Sequence, residues 1–203
     1  MLIPEKITSF IKDKVKDQSV SFVLQNKFAS TQENYRNNIR RYIAAHYPTH
    51  FSTLQLALLT DLNTLPECKS NEGYFSISHN LQVGGFTFSK HPHGFDAEEI
   101  KRISIPIIER TSSEAERKSV PNITFLWVAK EAAYKALNRN LPALTKPLIM
   151  TDLICSEWQS HSESSVHSFR VMLEKPLAET LSLNLNLGFV FSDKDILFSI
   201  YFK

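Results

Sequence analysis

The chain has 203 residues, 42% of them apolar, and its 23 Lys+Arg against 21 Asp+Glu leave a net charge of +2. That length suits one large domain or two small intertwined halves with a packed core, and so small a net charge excludes a generally basic, nucleic-acid-binding surface. Cys68 and Cys155 lack metal-ligand spacing and read as free thiols in a reducing cytosol, which excludes a disulfide framework or a zinc site.

The first residues soon meet Lys12, Asp13, Lys14, Lys16 and Asp17, leaving no room for an uncharged signal-peptide core. No later stretch approaches the length of a membrane-spanning helix, so a cytoplasmic protein without membrane contact is expected. Between Thr31 and Tyr47 the apolar residues Tyr35, Ile39, Tyr42, Ile43 and Tyr47 recur at the spacing of an amphipathic helix. Arg36, Arg40 and Arg41 ride beside that stripe. They read either as a solvated charged face or as a phosphate grip, since Arg36 and Arg40 are four apart and could share one anion.

A leucine-rich segment from Thr53 to Leu65 predicts a short helix and then a loop, with Glu67 to Glu72 on the surface. Tyr74 to His79 and Val83 to Ser89 predict two strands joined by a turn at Asn80, Leu81 and Gln82. His91-Pro92-His93-Gly94 is turn chemistry, and it marks the seam between an N-terminal half, residues 1–92, and a C-terminal half, residues 93–203. Beyond it, Phe95 to Glu98 reads as a short strand, followed by a helix around Ala97 to Glu109. A second helix begins at Asn122, which can cap it, and runs through Leu137. Ser160 to Ser168 reads as a mobile loop. Phe169 to Leu173, Leu181 to Val190 and Ile196 to Phe202 predict a terminal antiparallel sheet. The fold class is therefore α+β, and no residue-level internal repeat is visible.

Two short runs break this patterning. In the second helix the apolar stripe through Ile123, Leu126, Trp127, Tyr134 and Leu137 leads straight through Lys130 and Glu131. A buried charge is expensive unless it is paired or bound, so the breach marks a candidate site. Glu131 and Lys135 also have the spacing of an ordinary helix ion pair, which taken alone is the simpler reading. Asp96 and Glu98, however, are two apart and share one face of a strand. Three carboxylates converging without a cation would repel one another, whereas Mg²⁺ takes oxygen ligands and leaves positions for phosphate and water, with Mn²⁺ as the alternative ion. Lys135 lies one helical turn beyond Glu131, where an ammonium could meet a metal-bound phosphate.

Ser76-Ile77-Ser78-His79, Gly94-Phe95-Asp96-Ala97-Glu98 and Trp127 through Lys135 together resemble the 4′-phosphopantetheinyl transferases. Their order and separation are similar to the larger, single-chain type, in which two similar α+β halves form a pseudo-dimer. The resemblance covers Phe75 to about Leu144. It implies a monomer that transfers phosphopantetheine from coenzyme A to a serine of an acyl or peptidyl carrier protein. It further implies Asp96, Glu98 and Glu131 as Mg²⁺ ligands, with Glu131 also the candidate base for the acceptor serine. Lys130 and Lys135 would steady the diphosphate, Ser78 and His79 would contact a coenzyme A phosphate, and Arg36 and Arg40 would take the 3′-phosphate. Val128 stands where the family usually has Ser or Thr, and the stretch before Ser76 offers only Lys69 in place of a Gly-Lys-Pro-like element. The eroded nucleotide region motivates a second reading, a non-catalytic member of the same fold that binds coenzyme A or a carrier protein.

Overall fold

The computed structural model describes residues 3–52, 72–138, 148–162, 165–173 and 183–203. Helix α1 (Glu5–Val15) buries Ile7, Ile11 and Val15 on one face and ends at Lys16, which takes the left-handed conformation. Strand β1 (Ser21–Gln25) and helix α2 (Tyr35–His46) follow, then β2 (Tyr74–His79) and β3 (Gly84–Ser89). The turn between β2 and β3 is held by Asn80, whose Oδ1 accepts from the backbone N–H groups of Gln82 and Val83. These three strands make an antiparallel sheet of order β1-β3-β2. The sequence-predicted helix over Thr53 to Leu65 lies outside the described residues, as does most of the segment Glu67 to Glu72.

Among the described residues the second sheet has five antiparallel strands in the order β4-β8-β7-β6-β5: β4 (His93–Glu99), β5 (Leu153–His161), β6 (Val166–Leu173), β7 (Leu187–Asp193) and β8 (Ile196–Phe202). Among the described residues, three helices lie between β4 and β5: α3 (Ile105–Thr111), α4 (Glu114–Ser119) and α5 (Ile123–Asn138). The expected helix over Ala97 to Glu109 is thus corrected. Residues 97–99 complete β4, a 3₁₀ turn spans Ile100–Arg102, and α3 begins only at Ile105, with Pro106 in its first turn. The expected loop at Ser160 to Ser168 is likewise corrected, because β5 reaches His161 and β6 resumes at Val166. Side-chain hydrogen bonds across the two strands, Ser160 with His167 and His161 with Ser168, give those polar residues a place on the sheet. Helix α5 starts where Asn122 caps it, the Asn122 Oδ1 accepting from Thr124 N–H at 3.0 Å.

The alternation of β8 explains the layers. Ile196, Phe198, Ile200 and Phe202 pack with Phe95, Ala97, Phe189 and Phe191 against α1, whereas Leu197 and Tyr201 join the core beneath α5. The five-stranded sheet is therefore covered on one face by α5 and on the other by α1. A third cluster sets Ile39 and Ile43 of α2 against Phe75, Phe86 and Phe88 of the smaller sheet. The two sheets divide at the seam near residue 92, but α1 crosses that boundary to pack on the second. Among the described residues the halves have three strands and five. Their likeness is limited to an antiparallel sheet with a helix on it.

Candidate functional site

Strand β4 delivers the acidic motif. Phe95 and Ala97 point toward α1, so Gly94, Asp96 and Glu98 occupy the opposite, α5-facing side. A Cβ added at Gly94 would stand 2.0 Å from the carbonyl oxygen of Ala132 and 2.6 Å from the nitrogen of Ala136. Only glycine lets α5 cross β4 this closely, and that crossing brings Lys135 onto Asp96.

The Lys135 ammonium lies 2.7 Å from Asp96 Oδ1, 3.1 Å from the Phe95 carbonyl oxygen and 3.3 Å from Ser78 Oγ. Ser78 in turn donates to Asp96 Oδ1 at 3.1 Å and accepts from Ala97 N–H at 3.1 Å. One residue from each of β2, β4 and α5 thus meets at the junction of the two halves. Asp96 Oδ2 is buried and has no hydrogen-bond partner among the described residues.

Glu98 and Glu131 are joined to this cluster through charge. Burial, then the Asp96 charge, pushes the Glu98 carboxyl above its ordinary range. The Glu131 carboxyl is pushed up to about 6, first by burial and next by Asp96, with Lys135 opposing and Glu98 reinforcing. Among the described residues, no three His, Cys, Asp or Glu side chains converge as a set able to hold a metal ion. The three acids fit a hard cation in donor type and in the field they make, with the partnerless Asp96 oxygen as the clearest opening. They do not form a preassembled ligand shell.

His79, at the end of β2, sits with its ring 4.5 Å from that of Tyr35. Burial and the charges of Arg36 and Lys135 depress its pKa to about 4, so at neutral pH it is an uncharged imidazole. The arginines of α2 part company. Arg36 is exposed at the helix start on the His79 side, whereas Arg40 is buried. Arg41 lines a groove of about 360 Å³ with Lys27, Phe28, Asn38 and Tyr42, a basic, aromatic feature that the sequence did not reveal. The two arginines therefore do not form one matched exposed grip. Lys69 lies outside the described residues.

Lys130 has a different role from the one expected. It is 1% exposed, and its ammonium bonds the carbonyl oxygens of Thr111 and Leu153, each at 2.6 Å, together with the Glu116 carboxylate. Glu116 also closes the capping box of α4 with Ser113 and accepts from Cys155 N–H at 3.0 Å. With its three N–H donors committed to these groups, Lys130 ties α3, α4, α5 and β5 together and is not a phosphate ligand. Its breach of the apolar stripe reflects a buried ion pair. The Ser113-x-x-Glu116 spacing was the available signal for one partner. Compared with models of known protein families the chain matches none, and it matches no curated protein.

Proposed function

We propose that this protein is a Mg²⁺-dependent 4′-phosphopantetheinyl transferase with the pseudo-dimeric α+β fold, acting on coenzyme A and an acyl or peptidyl carrier protein. The observation that supports this most is the meeting of Ser78, Asp96 and Lys135, with Glu98 and Glu131 held in the same electrostatic field. Asp96, Glu98 and Glu131 would hold the metal, which when bound neutralises diphosphate charge. Lys135 supplies a cation beside the same acids, suited to the charge that grows on the departing group. Glu131 takes the proton of the carrier serine hydroxyl. The serine oxygen bonds to the phosphorus carrying the pantetheine arm, the bond to the bridging oxygen breaks, and 3′,5′-ADP leaves with that electron pair. His79, uncharged, contributes an N–H donor to a coenzyme A phosphate.

The test is a mass assay. Apo carrier proteins of several classes, incubated with coenzyme A and Mg²⁺, should gain the phosphopantetheine mass, and Asp96→Ala or Glu131→Ala should abolish the gain. No gain on any carrier would overturn the reading. A second reading, binding without turnover, draws on the absence of a three-carboxylate metal cluster among the described residues. Calorimetric binding of coenzyme A with no transfer would favour it.

A further inference from the structure

Among the described residues, strand β4 is the outer strand of its sheet, and β2 is the outer strand of the other. Antiparallel pairing turns the backbone groups of alternate residues away from the neighbouring strand. On β4 the outward groups include those of Phe95 and Ala97. Among the described residues they meet no strand ladder. Phe95 N–H donates to Ser76 Oγ at 2.8 Å, and Ala97 N–H donates to Ser78 Oγ at 3.1 Å. Ser76 and Ser78 are two apart, share one face of β2, and step along β4 in the same direction. Two side-chain hydroxyls thus stand in for the missing ladder and bracket Asp96 from both sides.

Ser78 touches Asp96 and Lys135 directly. Ser76 has no assigned part in the transfer, yet it is fully buried, and the residue it holds offers its own carbonyl to Lys135 at 3.1 Å. A buried N–H deprived of its acceptor is expensive, so Phe95 follows the hydroxyl that satisfies it. We propose that Ser76 is a positioning residue: by holding the Phe95 N–H it fixes the carbonyl that seats Lys135, and so sets Lys135 against Asp96. Its consequence for catalysis rests on the transferase reading, while its effect on Phe95 and Lys135 does not.

The experiment compares Ser76→Ala with Ser76→Thr, which keeps an acceptor hydroxyl; Ser76→Cys, a poor acceptor of similar size, replaces the alanine variant if that does not fold. Hydrogen exchange at the Phe95 amide should speed up about tenfold or more in Ser76→Ala and return toward the native rate in Ser76→Thr. The NMR signal of the Lys135 ammonium should shift in the same variant. Per folded molecule, kcat should fall about tenfold, and this loss should shrink to under about twofold when Lys135→Ala is already present, because both changes remove one arrangement. A purely structural serine would lower the folded fraction and leave those rates per molecule alone. An unchanged Phe95 exchange rate, an unmoved Lys135 signal, or an equal kcat loss in the Lys135→Ala background would each overturn the proposal. Should the native protein show no transfer, the transferase reading falls, and the exchange and lysine signals still decide the role of Ser76.

Discussion

Glu131 and His79 carry opposite proton linkage within one site. The folded protein raises Glu131 from an ordinary 4.5 to about 6, so the native state holds the proton more tightly than the unfolded chain. Its contribution to stability is complete below 4.5 and is lost as pH rises through about 6. His79 is lowered from 6.5 to about 4, so its contribution is present above 6.5 and lost as pH falls toward 4. Glu131→Gln removes only the first effect. Denaturation curves across this range should then show stability climbing with pH more steeply than in the native protein. Carboxyl NMR should place the Glu131 midpoint near 6 and find it lower in Asp96→Asn, which removes a neighbouring negative charge. Lys130 makes a contrasting case. Lys130→Met strands the Glu116 carboxylate in the core and should destabilise the fold by about 3–5 kcal/mol, read by denaturation. The KM for coenzyme A per folded molecule should stay unchanged. The sequence exposed both residues as charges on an apolar stripe. It could not separate them, because their partners lie on other elements: Glu116 fourteen residues before Lys130, and Asp96 more than thirty before Glu131.

At the scale of elements, the crossing of α5 over β4 decides whether the acids and the lysine meet. Gly94→Ala places a methyl against the backbone of Ala132 and Ala136, neither of which can rotate away. We expect α5 to be displaced, with transfer lost and stability reduced together; a Gly94→Ala protein of native Tm and full activity would refute that role. What was legible here followed period and caps. Asp96 and Glu98 share a face because a strand alternates, and α5 starts where Asn122 stops being helical. The errors have equally local causes. The helix expected from Ala97 ignored Pro106, which belongs in a first turn and signals a start near Ile105. The loop expected at Ser160 to Ser168 followed composition, whereas the paired Ser and His side chains of β5 and β6 satisfy one another across the ladder. Strand β5 was missed altogether, its alternation obscured by the register shift between Ser156 and Gln159.

For the molecule as a whole, α1 is a structural part of the second sheet. Ile11 is fully buried against that sheet's aromatic face. Ile11→Ala should lower stability by about 2–5 kcal/mol in chemical denaturation, although Ile11 belongs to the other half of the chain from the five-stranded sheet it covers. A loss below about 0.5 kcal/mol would mean that α1 does not cover the sheet. This packing could not be foreseen, since an amphipathic helix declares that it has a buried face but not which sheet receives it. The order β4-β8-β7-β6-β5 has a further consequence, in time. β4 pairs with β8 from His93↔Phe202 to Glu99↔Ile196, so the strand bearing Asp96 and Glu98 lacks its sheet neighbour until about a hundred more residues have left the ribosome. During that interval the apolar face of α1 lacks its sheet, and the backbone edge of β4 that pairs with β8 is uncovered. Assembly of the candidate site is thus a late event of synthesis, complete only once β8 has paired with β4.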